Sequence, residues 1–309
     1  MNVLVTGGLG FVGSNLIPAL KKEGHDVRVL DNLCIKSPEY ISKNYFELVV
    51  GDIRNVSDVK KALNNIDAVI HLAAFGSVID SISRPKENFD NNVFGTFNLL
   101  NQAMRTGIKK FIFASTGGAL IGNSSKQVNE ESLPKPISPY GSSKLCAEAY
   151  FSSYSHSYDM DIISLRFANI IGPYSWHKKG VITKFIKNIF EGEPLTIFGD
   201  GSSSRDYLFV GDLIEGISKS LSKEIKGFTP IHLSSGIETS INQVAKKLLE
   251  ISGRNNYKIE YRDFRKGEVS RNFANFSTAE NLLNFFPKYD IDIALGLTWK
   301  WFHAFKDKV

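Results

Sequence analysis

The stretch Val3-Leu4-Val5-Thr6-Gly7-Gly8-Leu9-Gly10-Phe11-Val12-Gly13 decides the fold of this chain. Its first residues have the apolar, β-branched character of a buried strand, and a helical pattern follows over residues 11–22. Gly7 permits a tight turn, Gly10 lets the backbone approach a pyrophosphate, and Gly13 lets the helix pack closely on the strand. The start of the helix offers free N–H groups to phosphates. This stretch therefore predicts a dinucleotide site, and the alternative is a glycine turn that serves packing only.

Strand-like runs and helical stretches alternate outward from this turn. The predicted strands cover residues 3–5, 27–30, 46–50, 68–72, 110–114 and 161–167, and the predicted helices 11–22, 93–106 and 140–154. Such alternation, with apolar strands, is typical of a parallel sheet that is covered on both faces. We expect an α/β fold, a doubly wound parallel-sheet Rossmann domain.

The chain becomes rich in turns after Arg166. One helix (182–190) and one strand (195–198) are predicted there, 206–221 and 231–234 are expected to return to the sheet, and the part from 241 on is expected to be helical and then irregular and aromatic. We expect residues 1–168 and 206–235 to form the NAD-binding domain, and residues 169–205 and 236–309 to form a smaller, discontinuous α/β lobe that binds the substrate.

Composition narrows the class of protein. The chain has 309 residues and a net charge of +5, with its basic residues scattered among acidic ones, which does not favour nucleic acid as a partner. Its two cysteines, Cys34 and Cys146, lack the spacing of a zinc site, so no metal is predicted. No apolar run has the length of a membrane helix, and the opening residues leave no room for a signal peptide. These features predict a cytoplasmic protein that binds neither membrane nor nucleic acid.

Acidic residues follow two of the predicted strands. Asp31 closes the second strand, where a carboxylate accepts hydrogen bonds from a ribose and repels a 2′-phosphate, so NAD is favoured over NADP. The alternative is an Asp that only caps a helix or stabilises a turn. Asp52 and Ile53 follow the third strand and are expected at the adenine edge.

Tyr140 and Lys144 are four residues apart on a predicted helix, so they share one face. A tyrosine base must ionise about three units below its usual pKa near 10, which requires roughly 4 kcal/mol. An ammonium group about 4 Å away supplies about that much at an effective dielectric near 20, and an oxidised nicotinamide would add a further positive charge. Ser115 and Thr116 end the fifth strand, where a hydroxyl could relay a proton. The arrangement predicts a hydride-transfer site with Tyr140 as the base; the alternative is a retained but idle one.

Together these motifs resemble the extended short-chain dehydrogenase/reductase family, in its NAD-dependent nucleotide-sugar epimerase/dehydratase branch. The resemblance spans nearly the whole chain and rests on residues 6–13, 51–54, 71–74, 92–96, 140–144, 166–173, 199–201 and 205–207. It implies that Thr116 and Tyr140 handle protons and that Lys144 holds the nicotinamide ribose. The cofactor-binding set expected for NAD is Gly7, Gly10, Phe11, Val12, Gly13, Asp31, Asn32, Asp52, Ile53, Leu72, Ala73, Ala74, Asn92, Ser115, Tyr140 and Lys144.

The residues after Thr116 separate the reactions of this branch. Elimination of water requires an acid for the departing hydroxyl, and dehydratases carry an acidic pair there. This chain has Gly117-Gly118-Ala119, and its run is similar to that of UDP-glucose (UDP-galactose) 4-epimerases. The resemblance thus implies 4-epimerisation of a UDP-hexose, glucose/galactose or the N-acetylhexosamine pair, through a transient 4-keto sugar. The alternatives are another nucleotide-sugar oxidoreductase or dehydratase of the family, and a non-catalytic NAD-sensing protein.

The resemblance also implies a substrate side and a partner. Its expected UDP-sugar contacts are Thr116, Asn169, Thr196, Phe198, Arg205, Arg265 and Glu268. The alternatives are that Arg205 only pairs with Asp206 or Asp212, and that Glu268 lies in a solvated turn. Asn272 falls where a bulky tyrosine excludes N-acetyl groups in glucose-restricted relatives. A homodimer is expected through the helices at 93–106 and 140–154.

Overall fold

The computed structural model describes residues 1–35, 41–264 and 269–306 of the chain. Its strands are β1 Asn2–Thr6, β2 Asp26–Asp31, β3 Glu47–Val50, β4 Ala68–His71, β5 Lys110–Thr116, β6 Asp161–Phe167, β7 Asn169–Ile171, β8 Leu195–Phe198, β9 Ser204–Phe209, β10 Phe228–Leu233, β11 Glu238–Ser240, β12 Ile259–Arg262 and β13 Arg271–Asn272. Its helices are α1 Phe11–Lys22, α2 Val56–Leu63, α3 Val78–Ser83, α4 Pro85–Phe89, α5 Thr96–Arg105, α6 Gly117–Ile121, α7 Pro139–Tyr158, α8 Val181–Glu191, α9 Val210–Ser222, α10 Ile241–Ile251, α11 Ser277–Leu283 and α12 Ile291–Phe305.

One large sheet organises the molecule. Its seven strands lie in the order β10-β6-β5-β4-β1-β2-β3, and every neighbouring pair is parallel. The strand order reverses between β1 and β4, and in such sheets ligands bind beyond the carboxyl ends of the strands at this point. Thr6 ends β1 and His71 ends β4, and Thr116 ends β5, the strand next to β4. The prediction of a doubly wound α/β fold is confirmed.

Both faces of the sheet are buried, as its apolar strands require. Val3 and Val5 point into one apolar cluster and Leu4 into another, because successive side chains of a strand face opposite sides. The first cluster includes Leu16 of α1 and Leu213 of α9. The second includes side chains of α2, α5 and α7. Helices therefore cover the sheet on both sides and fix the strand ends that carry the site.

Two small sheets accompany the large one. In the first, β9 pairs with β7, β11 and β13, and in the second β8 pairs with β12. Residues 206–221 and 231–234 were expected to return to the large sheet. This prediction is wrong for β9, which joins a small sheet, and correct for β10, which joins the large sheet, and for α9, which packs against it. A short apolar strand carries no signal of which sheet it joins, because its partners are distant in sequence. The division into two lobes stays a prediction.

The C-terminal region is more regular than its sequence indicates. The predicted irregular, aromatic part contains α12, which Asp290 caps by accepting a hydrogen bond from the amide of Ile293 at 2.8 Å. Trp299 and Phe302 pack their rings on Phe190 and Trp176. The expectation of irregular structure was therefore wrong. Aromatic residues have no strong intrinsic preference for a helix, and the packing of their side chains decides the conformation here.

Candidate active site

The glycine turn between β1 and α1 is closed by backbone contacts. Gly7 has a φ of +66°, which favours glycine, and a Cβ there would lie 2.7 Å from the Cα of Ala73. A Cβ on Gly13 would lie 2.2 Å from the carbonyl oxygen of Gly8. The N-cap of α1 is Gly10, which has no side chain to cap the first amides of the helix. The turn therefore has the shape and the available amides that a pyrophosphate requires, and it lies against the predicted floor at Leu72 and Ala73.

Asp31 lies beside this turn. One of its carboxylate oxygens accepts a hydrogen bond from the amide of Leu9 at 3.1 Å, and the other from the amide of Leu33 at 2.9 Å. The carboxylate is half-buried, so it stays accessible from the cleft. This geometry ties the end of β2 to the glycine turn and fits the expected ribose contact.

Asp52 links the other residues expected at the adenine end. Its carboxylate accepts hydrogen bonds from Asn32 at 3.2 Å and from Arg54 at 2.7 Å, and its pKa is lowered to about 2, chiefly by Arg54. The neighbouring Ile53 is buried, and its carbonyl accepts a hydrogen bond from Asn98 at 2.7 Å. The side chain of Ile53 thus belongs to the core, and the accessible groups at this end are polar.

Other residues of the expected cofactor set differ in exposure. Leu72 and Ala73 are half-buried, and Ala74 is exposed. Asn92 is buried: its Oδ1 accepts from the amide of Phe75 at 2.7 Å, and its Nδ2 donates to the hydroxyl of Ser143 at 3.1 Å. Asn92 therefore holds the segment after β4 against α7. Phe11 is buried in the core, and Val12 is half-buried.

Thr116 and Tyr140 lie at the starts of two helices, α6 and α7, that contact each other. Thr116 ends β5 and precedes α6, and Tyr140 lies in the first turn of α7, which Ser138 caps. A Cβ on Gly141 would lie 2.0 Å from the carbonyl oxygen of Ala119, so the two helices touch backbone to backbone. Both Thr116 and Tyr140 are half-buried and stay accessible.

Lys144 lies one turn further along α7 and is buried. Its ammonium donates to the carbonyl of Ala114 at 2.7 Å and lies 5.9 Å from the centre of the Tyr140 ring. Burial raises the pKa of Tyr140 to about 12. Burial also lowers the pKa of Lys144 to about 7, although Glu148 acts in the opposite direction.

These shifts bear on the prediction that Lys144 and a positively charged nicotinamide together make Tyr140 a base. Lowering the pKa of Tyr140 from about 12 to near 7 requires about 7 kcal/mol. The Lys144 ammonium lies 5.9 Å from the centre of the Tyr140 ring, and a charge about 6 Å away supplies roughly 3 kcal/mol at an effective dielectric of 20. The earlier estimate considered charge attraction at a shorter distance and left out desolvation. A further positive charge beside the phenol is therefore required.

The expected substrate contacts lie on the two small sheets. Asn169 of β7 is exposed and donates to the carbonyl of Asp206 at 3.2 Å. Thr196 and Phe198 of β8 are half-buried, with the ammonium of Lys184 5.9 Å from the Phe198 ring. Strand pairing thus brings these residues to short strands outside the large sheet. Arg265 and Glu268 lie outside the described residues.

Arg205 of β9 is also half-buried and donates to the carbonyls of Ser204 at 2.8 Å and Ser270 at 3.2 Å. The carboxylate of Asp206 instead accepts the amides at 235, 236 and 274, and that of Asp212 accepts the amides at 288 and 289. These contacts argue against Arg205 serving only as an ion-pair partner of either aspartate.

Asn272 of β13 lies close to the segment that follows Thr116. It pairs with Arg205 in the register of β13 and β9, and its side chain donates to the carbonyl of Gly122 at 2.8 Å. A Cβ on Gly118 would lie 3.6 Å from the Asn272 side chain. A compact, buried amide therefore borders the turn that follows Thr116.

Two interactions near the site were not predicted. Glu148 and Arg166 form a buried ion pair at 2.8 Å behind Lys144. Lys179 pairs with Asp80 at 2.8 Å, and the hydroxyl of Ser81 accepts the amide of Tyr140 at 3.2 Å, so the loop before α8 is tied to the neighbourhood of Tyr140. Only the i+4 spacing of Glu148 from Lys144 was visible in the sequence.

Across the described ranges 1–35, 41–264 and 269–306, no cluster of His, Cys, Asp and Glu has the arrangement of a metal site. Over the same part of the chain, no helix combines the length and apolar character needed to cross a bilayer.

Comparison with known proteins agrees with this geometry. The model of the NAD dependent epimerase/dehydratase family matches residues 3–233. The chain belongs to this family. A UDP-glucuronate 4-epimerase of Thermodesulfobacterium geofontis is 34% identical over 310 residues, covering 96% of this chain and 95% of the relative.

Solved structures of this family superpose over almost the full length. The UDP-glucose 4-epimerase of Thermotoga maritima, solved with UDP-glucose, has a TM-score of 0.93 and 33% identity and covers 98% of this chain and 99% of its own. The UDP-glucose 4-epimerase of Thermus thermophilus, solved with NAD, has a TM-score of 0.91 and 32% identity, with 98% and 99% covered.

Proposed function

We propose that this chain is an isomerase that uses NAD to epimerise a UDP-hexose at C4 through a transient 4-keto sugar. The observation that carries the proposal is that Lys144 of α7 lies 5.9 Å from the centre of the Tyr140 ring and donates to the carbonyl of Ala114, close to Thr116 at the end of β5. The family and the named epimerases that match the chain support the same reaction.

NAD fits the residues present, because the glycine turn has no room for side chains and Asp31 lies beside it. The chemistry that NAD supplies when bound is a positively charged ring that reversibly takes up a hydride. The glycine turn with Leu72 and Ala73 would hold its pyrophosphate, Asp31 its adenosine ribose, and Lys144 its nicotinamide ribose.

The protein's own groups then handle the proton. Tyr140 removes the proton from the 4-hydroxyl group and later returns it, and the hydroxyl of Thr116 donates a hydrogen bond to the sugar oxygen. Lys144 supplies part of the positive charge that lowers the pKa of Tyr140. No acid follows Thr116 in the sequence, so the chain lacks the group that elimination of water requires there.

The substrate side rests on Arg205, whose guanidinium suits a bidentate contact with the UDP diphosphate. Asn169, Thr196 and Phe198 complete the contacts with the nucleotide sugar, and Arg265 and Glu268 are proposed from the sequence alone. The buried amide of Asn272 leaves more room than a tyrosine, which favours acceptance of N-acetylhexosamines.

A homodimer through α5 and α7 is part of the proposal. Phe94, just before α5, is 49% exposed and Tyr150 of α7 is 43% exposed, although the rings of Phe97 and Tyr150 already pack 5.3 Å apart. Exposed aromatic side chains that adjoin a packed pair form the kind of patch that a second copy covers.

We also propose that the protein is cytoplasmic. Its free cysteines, Cys34 and Cys146, are compatible with that compartment.

The test is a panel of UDP-, dTDP-, GDP- and CDP-sugars, with products separated after incubation. We expect conversion of UDP-galactose, UDP-N-acetylgalactosamine or both to the 4-epimer, without net formation of NADH. Steady consumption of added NADH, or a 4-keto-6-deoxy product, would instead identify an oxidoreductase or dehydratase. Tight NAD binding without turnover of any sugar would identify a sensor.

A further inference from the structure

A buried cluster of polar side chains joins α7 to the ends of β5 and β6. At its centre is Glu148, which lies one turn beyond Lys144 on α7 and is 4% exposed. Its Oε1 accepts hydrogen bonds from the hydroxyls of Ser115 at 2.6 Å and Ser164 at 2.8 Å. Arg166 donates to both carboxylate oxygens, at 3.2 and 2.8 Å. Both oxygens of this buried carboxylate therefore have hydrogen-bond donors, as a buried polar group requires.

Glu148 and Lys144 together fasten α7 to the end of β5. Lys144 donates to the carbonyl of Ala114, and Glu148 accepts from the hydroxyl of the next residue, Ser115. The residue after that is Thr116, which ends β5 and is half-buried. One face of α7 therefore fixes two consecutive residues of the strand immediately before a group that contacts the sugar in the proposed function.

The charge states of the residues around Lys144 indicate which of them affects the pKa of its ammonium group. Burial lowers the pKa values of His71 and His232 to about 3, so both are neutral near pH 7. Tyr140 is also neutral there, and Arg166 is matched by Glu148. Glu148 is the carboxylate that opposes the loss of charge on buried Lys144.

We propose that Glu148 is a positioning residue that keeps the Lys144 ammonium charged and holds Ser115 and Thr116 in register beside it. The consequence for the reaction rests on the proposed function, since Lys144 must be charged to help ionise Tyr140. The effect on Lys144 itself does not depend on that function.

The first measurement is the titration of the Lys144 ammonium by NMR of ¹⁵N-lysine-labelled protein, assigned with Lys144→Arg. In Glu148→Gln the pKa of Lys144 should fall by about one unit or more, because the opposite charge one helical turn away is lost. Ser164→Ala removes one hydrogen bond to the same oxygen but leaves the charge, so the pKa should stay unchanged. An unchanged pKa in Glu148→Gln would overturn the proposal.

Glu148→Gln leaves Arg166 buried without a counter-charge and could fail to fold. The double variant Glu148→Gln/Arg166→Met removes both charges and keeps similar volumes, so it separates stability from electrostatics. The pKa of Lys144 should stay low in the double variant even where the melting temperature recovers. A return to the wild-type titration would show that Glu148 acts only as the partner of Arg166, and would contradict the proposal.

Activity gives the second readout. Lys144 loses its charge as the pH rises through its pKa, so a lower pKa moves the alkaline decline of kcat to lower pH. The activities of Glu148→Gln and of the double variant are compared with that of Ser164→Ala at pH 6 and at pH 8. We expect the loss of activity relative to Ser164→Ala to be about tenfold greater at pH 8 than at pH 6. An equal loss at both pH values would indicate a merely structural role. If no variant turns over any sugar, wild type included, the proposed function fails while the titration still decides this inference.

Discussion

The proposed coenzyme side and the proposed sugar side of the site are built in different ways. On the coenzyme side, the glycine turn, Asp31 and the Tyr140–Lys144 helix follow strands of one parallel sheet, and each is recognisable as a short local motif. On the sugar side, Asn169, Arg205 and their neighbours lie on short strands of two small sheets. The coenzyme side is therefore fixed by local geometry, whereas the sugar side depends on pairing between distant segments.

The largest expected effect tests whether Tyr140 is the base of the proposed reaction. Tyr140→Phe removes the proton acceptor and should lower kcat by about a thousandfold, because acid–base catalysis contributes roughly 10² to 10⁴. NAD content and melting temperature should stay near wild type. Tyr154→Phe on the same helix loses only a 3.3 Å hydrogen bond to Asn101 and is the matched control. A Tyr140→Phe enzyme with more than a tenth of wild-type kcat would remove Tyr140 from the mechanism.

The next effect tests whether local geometry fixes the coenzyme side. Gly13→Ala would place a Cβ 2.2 Å from the Gly8 carbonyl oxygen, where only backbone could yield. We expect a loss of about 1–3 kcal/mol of stability and a marked drop in NAD content of the purified protein. Gly296→Ala in α12 is the control, since a Cβ there meets nothing within 4 Å. Retention of full NAD content in Gly13→Ala would show that the turn tolerates a side chain.

The smallest effect probes the sugar side. Arg205→Lys keeps the charge but loses the planar fork, so KM for the UDP-sugar should rise about tenfold with little change in kcat. Arg254→Lys, at an exposed position, should leave both constants unchanged. Unchanged KM in Arg205→Lys, measured by initial rates, would place the diphosphate elsewhere.

The same contrast explains what the sequence could predict. The parallel sheet, the glycine turn and the pairing of Tyr140 with Lys144 on one helix face follow from local patterns. The structure has the parallel sheet, and the Lys144 ammonium lies 5.9 Å from the centre of the Tyr140 ring. The sheet that β9 joins was predicted wrongly, because strand pairing depends on residues far away in the chain. Aromatic residues before the C-terminus hid α12 for a similar reason, since packing decided its conformation.

The electrostatics of the site were also beyond the sequence. The pKa of Tyr140 rises because surrounding protein removes water from it, and burial of that kind has no local signature. The hydrogen bond of Glu148 with Ser115 joins residues 33 positions apart, so the cluster behind Lys144 appears only in three dimensions. The sequence therefore identified the candidate reacting groups, but it could not predict their pKa values.

The central claim is that one hydrogen leaves C4 of the sugar and returns to the same carbon on its opposite face. The most direct test uses the UDP-hexose identified by the panel, deuterated at C4, in ordinary water. The account predicts that the epimer retains its deuterium at C4, measured by mass spectrometry and NMR. Replacement of the label by solvent hydrogen during inversion would contradict it.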